Sequence, residues 1–128
     1  MAQPADLLYS REHEWVRIDG DSATIGITDY AQSSLGDIVY VELPKMGTDV
    51  AQFSNTGVIE SVKAVSDLFT PMGGEIIETN DALEKDPALV NREPFEGGWL
   101  FKLRLRNPSE SEHLLSPDSY EELIAQAE

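Results

Sequence analysis

Lys63 carries the most specific chemistry in this chain of 128 residues. It stands in Gly57-Val58-Ile59-Glu60-Ser61-Val62-Lys63-Ala64-Val65-Ser66-Asp67-Leu68, where two short β-like runs meet at a tip. A primary amine on a long flexible stem, held at the end of a rigid hairpin, suits covalent attachment of a prosthetic group. An exposed hairpin lysine is ordinarily only a solvated charge, and two features argue for more. Val62, Ala64 and Val65 make the tip apolar, which is unusual for a turn facing water. Glu60, Ser61, Ser66 and Asp67 frame it on both strands with polar groups that another protein can read. Only 4 lysines stand against 24 acidic residues, and acylating this one would move the formal charge from −15 to −16. The pattern points to a carrier rather than to an enzyme with its own active centre.

Other chemistry-bearing residues are weaker candidates. His13 and Glu14 are adjacent, but neighbours on a strand face opposite ways and do not readily act on one substrate. His13 therefore reads as strand entry beside a core Trp15, and Glu14 as an acid able to line a pocket rim. His113 lies in an acidic, helix-like stretch and reads as a surface residue. Two histidines so far apart make a poor metal site, and no metal is expected. Paired carboxylates such as Asp19 with Asp21, or Glu121 with Glu122, arise by chance in so acidic a chain, so a glycosidase-type pair is not indicated. There is no phosphate-binding glycine loop and no nucleophile elbow.

These residues need elements to position them. Trp15–Ile18 and Ala23–Ile27 read as strands joined at Asp19-Gly20-Asp21. Thr28 caps a helix over Asp29–Leu35, stopped by Gly36. Strands follow over Asp37–Leu43, Gly57–Val62 and Ala64–Phe69, with a turn at Lys45–Asp49. Pro71–Gly74 breaks the chain before Glu75–Glu78. Asn80 is placed to cap a brief helix through Leu83. Trp99–Leu105 alternates apolar and basic residues, so one face is buried. Ser116-Pro117-Asp118 starts a C-terminal helix whose Tyr120, Leu123 and Ile124 form one apolar stripe and whose acids face outward. Gly36-Asp37-Ile38-Val39 and Gly74-Glu75-Ile76-Ile77 share a pattern that suggests two related sheet halves packed face to face.

Composition sets the outer bounds. The length suits one domain, residues 1–128, with a core over about 8–106 and a helical segment over about 109–128. A formal charge of −15 repels phosphate backbones, which excludes nucleic-acid binding and favours partners with basic docking surfaces. Without cysteine there is no disulfide, thiolate site or thiol nucleophile. No run approaches the length of a membrane span, and the start, Met1–Leu8, is neither a signal nor a transit peptide. The expected location is the cytoplasm, or the mitochondrial matrix if a presequence has been removed.

Well beyond the tip, the sequence resembles one family. The residues that carry the likeness are His13-Glu14-Trp15-Val16, Ala23-Thr24-Ile25-Gly26-Ile27-Thr28-Asp29-Tyr30-Ala31-Gln32, Leu35-Gly36-Asp37, Val41-Glu42-Leu43-Pro44, Glu60-Ser61-Val62-Lys63-Ala64-Val65-Ser66-Asp67, Gly74-Glu75, Leu89-Val90-Asn91 and Gly98-Trp99-Leu100. They are similar to those of the H proteins of the glycine cleavage system, its lipoyl carriers. The resemblance implies a mainly β, lipoyl-type barrel-sandwich hybrid of two small antiparallel sheets, with short helices and a C-terminal helix. It implies lipoate in amide linkage on Lys63, with Glu60 and Gly74 at the positions that mark and orient the site, together with Ser61, Val62, Ala64 and Val65. It also implies a cleft for the loaded arm, where Glu14 and Asp67 hold an amine. The implied partners are the pyridoxal-phosphate glycine decarboxylase (P protein), the folate-dependent aminomethyltransferase (T protein), the flavin dihydrolipoamide dehydrogenase (L protein) and the lipoylating enzymes. The chain would be monomeric, would shuttle an aminomethyl group between them, and would supply no catalytic residue.

Alternatives remain at this level. A lipoyl donor for 2-oxo acid dehydrogenases would share every one of these residues. A biotin carrier usually places methionines around its lysine, where this chain has Val62 and Ala64. A small acidic enzyme using Glu14 and Asp67 would turn over substrate unmodified, and a purely structural domain would tolerate Lys63→Arg. Met72-Gly73 and Ser54-Asn55-Thr56 depart from the usual pattern, and Gly73-Gly74 is expected to loosen its turn.

Overall fold

A computed structural model describes residues 4–127. Among these described residues, nine strands, each antiparallel to its neighbours, form two sheets. Strands β1 (Leu8–Tyr9), β2 (Glu14–Asp19), β3 (Ser22–Ile27), β5 (Asp49–Val50), β8 (Gly74–Thr79) and β9 (Phe101–Leu105) make a six-stranded sheet in the order β1-β2-β3-β9-β8-β5. Strands β4 (Ile38–Glu42), β6 (Asn55–Ser61) and β7 (Val65–Phe69) make a three-stranded sheet with β6 in the centre. This is the expected sandwich of two antiparallel sheets. The helices are α1 (Asp29–Leu35), α2 (Ala82–Lys85), α3 (Leu89–Arg92) and α4 (Pro117–Ala127), with a 3₁₀ turn over Pro108–His113.

Period-two alternation drives the packing. Phe101, Leu103 and Leu105 are buried while Lys102 and Arg104 point outward, as their alternation requires. Ile25, Leu103 and Ile76 from the larger sheet meet Ile38, Ile59 and Leu68 from the smaller one in a single core. The two Gly-acid-Ile segments thus begin strands on opposite sheets, and their isoleucines, Ile38 and Ile76, share that core. Thr28 caps α1 through a hydroxyl that accepts from the Ala31 N–H at 3.2 Å, and Gly36 closes it at φ 84°, a conformation that favours glycine.

Several short features differ from expectation. Strands β1 and β5 are each 2 residues long, too short for any periodicity to show, and are held by register with β2 and β8. Asn80 caps no helix. Its amide donates to the carbonyls of Gly97 (2.9 Å) and Trp99 (2.7 Å), and Asp81 precedes α2 without a side-chain cap. The Gly73-Gly74 turn is not loose. A Cβ on Gly73 would stand 2.9 Å from the Val50 carbonyl, one on Gly74 would stand 2.2 Å from that of Arg104, and the Gly73 N–H donates to Glu110 at 2.9 Å. These glycines serve close approach of backbones.

Helix α4 docks as expected on a second core cluster of Leu7, Tyr9, Trp15 and Tyr120. The Ser116 hydroxyl caps it by accepting the Ser119 N–H at 3.1 Å. Tyr120 stacks on Tyr9 with centroids 4.7 Å apart, and its hydroxyl bonds Thr28 Oγ1 at 2.7 Å and His13 Nδ1 at 2.9 Å. Replacing Tyr120 by Phe keeps the stack but leaves a buried Thr28 hydroxyl without this partner. Denaturant unfolding is expected to show a loss of about 1–3 kcal/mol, whereas Tyr120→Ala should cost about 3–5 kcal/mol.

Candidate functional site

The tip between β6 and β7 is a tight turn with Val62 and Lys63 at its centre and Ser61 facing Ala64. Neither central residue has a positive φ, so the turn is not of the mirror-image kind that usually closes two-residue hairpins. Ser61 makes this possible. Its main-chain N–H donates to the Ala64 carbonyl at 2.8 Å, and its nearly buried hydroxyl accepts the N–H groups of Ala64 (3.1 Å) and Lys63 (3.3 Å). The remaining tip N–H, that of Val62, donates to the Asp37 carbonyl at 3.0 Å, which ties the hairpin to the start of β4.

Lys63 itself is exposed, and among the described residues it takes part in no ion pair, unlike Arg17, Arg92, Lys102, Arg104 and Arg106. Its stem lies over Gly36, where a Cβ would approach Lys63 Cε to 3.5 Å. Val62 and Val65 are 69% and 67% exposed, so the apolar tip is displayed to solvent rather than tucked into the core. Glu60 pairs with both Tyr40 and Val65 across the sheet, and Val58 pairs with Glu42 and Asp67. Alternation places these side chains on the outer face, since Ile59, Ser61, Val41 and Leu68 turn inward. Gly74 lies in the other sheet, where its closest constraint is the Arg104 backbone.

Glu14 and Asp67 occupy very different settings. Asp67 is exposed on β7, an edge strand, and its side chain has no partner among the described residues. Glu14 is 3% exposed, with its carboxylate accepting the Ser10 hydroxyl at 2.6 Å while Ser10 Oγ accepts the Glu14 main-chain N–H at 3.1 Å. Burial raises the Glu14 carboxyl to about pH 8, and Glu12 adds to the rise, while the Ser10 hydroxyl and the Phe69 main chain oppose it. Phe69 and Asp67 are two positions apart on β7, about 7 Å along the strand. The strand edge therefore brings the neighbourhood of both acids together, one buried and one in water.

A cleft of about 340 Å³ opens beside Glu14, lined by Ser10, Arg11, Glu12, Phe53, Phe69 and His113. Three of these, Ser10, Glu12 and Phe69, are residues that act on the Glu14 carboxyl. The sequence singled out neither phenylalanine. Phe53, an apolar residue between Gln52 and Ser54 in a turn, was the available signal; it sits at φ 66° and is 46% exposed. His113 is exposed as expected, bonded to Gln52 Oε1 at 3.1 Å, and also forms part of the rim. His13 is in the left-handed region at φ 71° and belongs to the Tyr120 cluster, with burial lowering its pKa. No group of acids and histidines among the described residues is arranged to hold a metal ion.

A raised carboxyl pKa has a definite consequence for stability. The folded chain holds the Glu14 proton more tightly than the unfolded chain does, so this group weakens folding progressively as pH rises from about 4.5 to about 8. Each unit of such a displacement is worth about 1.4 kcal/mol. Thermal unfolding of Glu14→Gln beside the parent chain should show the variant gaining relative stability across that interval, with the gap constant below it. An unchanging gap would exclude the raised pKa.

Residues 7–127 match the family model described as glycine cleavage H-protein. The chain is 50% identical over 121 residues to the glycine cleavage system H protein of Carboxydothermus hydrogenoformans, covering 94% of this chain and 93% of that one. It is 48% identical over 128 residues to the H protein of Halothermothrix orenii, with both chains covered in full. Among solved structures it is similar to a glycine cleavage system H protein from Mycobacterium marinum, with a TM-score of 0.84 and 35% identity over 98% of each chain.

Proposed function

Because the chain belongs to the glycine cleavage H-protein family, we propose that it is a non-catalytic carrier, one domain along its whole length, with lipoate joined to Lys63. The observation that supports this most is the setting of that lysine. It is exposed and unpaired among the described residues, on a turn whose own N–H groups are met by Ser61 and Asp37. Attachment requires its amine to attack an activated lipoyl carbonyl and expel the activating group, with loss of a proton as the amide forms.

A bound lipoyl group supplies a disulfide that opens to take up a one-carbon amine and is regenerated by oxidation. The chain's residues aim and shield it. Glu60, Ser61, Val62, Ala64 and Val65 form the surface by which a lipoylating enzyme finds Lys63, while Gly74 lets β8 pair closely with β9 beside Arg104. The cleft beside Glu14 takes the loaded arm. Phe53 and Phe69 exclude water from it, and an incoming ammonium favours the Glu14 carboxylate over its acid, as opposite charges do at close range. Asp67 offers a second, solvated carboxylate on the way from the tip.

The outer face of the three-stranded sheet combines Glu42, Glu60 and Asp67 with exposed Tyr40, Val62 and Val65. It fits partners with an apolar site and a basic rim, here the glycine decarboxylase, the aminomethyltransferase, the dihydrolipoamide dehydrogenase and the lipoylating enzymes. The swinging arm raises the effective concentration of its load at each of them. The setting is the compartment that holds these enzymes, which we place in the cytoplasm. No helix among the described residues is long and apolar enough to cross a membrane.

The test is intact and peptide mass spectrometry of the chain made in cells supplied with lipoate, beside Lys63→Arg. One lipoyl group on Lys63, absent from the variant, is expected. An unmodified Lys63 in cells with working lipoylation enzymes would overturn the reading.

A further inference from the structure

We propose that Asn91, on α3 and remote in sequence from the tip, is a positioning residue for Lys63. This rests on Lys63 as the lipoylated residue. The Asn91 amide spans the chain on either side of Asp37. Its Nδ2 donates to the Gly36 carbonyl at 2.9 Å and to Gln32 Oε1 at 2.9 Å, and its Oδ1 accepts the Ile38 N–H at 2.9 Å. Asn91 thus holds the peptide groups before and after Asp37, and the Asp37 carbonyl is left to accept the Val62 N–H.

That carbonyl is what holds the tip. Of Val62, Lys63 and Ala64, only Val62 hydrogen-bonds outside the hairpin among the described residues, and its acceptor is Asp37 at 3.0 Å. The second support is steric, since the Lys63 stem lies over Gly36, one of the two residues Asn91 grips. Both supports of the reactive side chain therefore rest on the segment that Asn91 fixes. The hairpin could keep its own ladder and still swing without them, because the Ser61 bonds are internal to it.

A merely structural amide is available for contrast in the same fold. Asn80 is 7% exposed and ties down two carbonyls, those of Gly97 and Trp99, and among the described residues it makes no hydrogen bond to the tip. The experiment compares Asn91→Ala, Asn91→Asp and Asn80→Ala with the parent chain, at a temperature where each is folded. It reads amide hydrogen exchange at Val62 and kcat/KM for lipoylation of Lys63 by an ATP-dependent lipoate ligase at saturating lipoate. Asn91→Ala should speed exchange at Val62 and lower kcat/KM, each on the order of tenfold, as loss of orientation does. Asn91→Asp, which keeps the acceptor for Ile38, should move both in the same direction by less, and it decides the matter if the alanine variant does not fold. Asn80→Ala should lose thermal stability and leave both readouts unchanged. Parent-like values in the Asn91 variants, or equal losses in Asn80→Ala, would overturn the positioning role while leaving Lys63 as the modified residue. A parent chain that accepts no lipoyl group would overturn the reading of Lys63 itself.

Discussion

The Ser61 hydroxyl does the work of a main-chain carbonyl at the head of the β6–β7 hairpin. By accepting the N–H groups of Lys63 and Ala64, it lets a two-residue turn close with ordinary, right-handed backbone conformations. Unmet peptide groups at an exposed tip would be solvated and mobile. Met internally, they give a small stiff platform. The exposure of Val62, Lys63 and Val65 depends on that platform, because apolar side chains at a slack tip would fold back onto the sheet.

The platform in turn needs a body that does not move beneath it. The inward faces of the two sheets supply it through Ile38, Ile59 and Leu68 on one side and Ile25, Ile76 and Leu103 on the other. Strand β4 links the tip to α1 at the positively twisted Gly36, and α3 secures that junction from below. The tip that carries Lys63 belongs to the smaller sheet, whereas Glu14 and Gly74 belong to the larger one. The larger sheet is braced by Trp15, which donates its indole N–H to the Pro94 carbonyl at 2.9 Å, and by α4, docked through Tyr120.

Glu14 on β2 and Asp67 on β7, strands of different sheets, are two different kinds of carboxyl. Exposed Asp67 retains water, whereas Glu14 is held in a dry pocket by Ser10 and the Phe69 main chain. A buried carboxyl costs stability without a counter-charge.

Much of this was legible in the chain alone. The turn at Asp19-Gly20, the cap at Thr28, the alternation over Phe101–Leu105 within the expected Trp99–Leu105, the helix start at Ser116 and the displayed Lys63 follow from local rules, since each depends on residues within a few positions of one another. The rest depended on contacts between distant segments. Asn80 resembled a helix cap until Gly97 and Trp99 came within reach of its amide, and Gly73-Gly74 looked slack until the Val50 and Arg104 backbones closed on it. The burial of Glu14, the phenylalanines of the cleft and the grip of Asn91 on residues more than fifty positions away were decided only by the tertiary structure. The physical reason is that side-chain type and spacing set what a residue is able to do, while desolvation and long-range hydrogen bonding, which exist only once the sheets pack, set what it does.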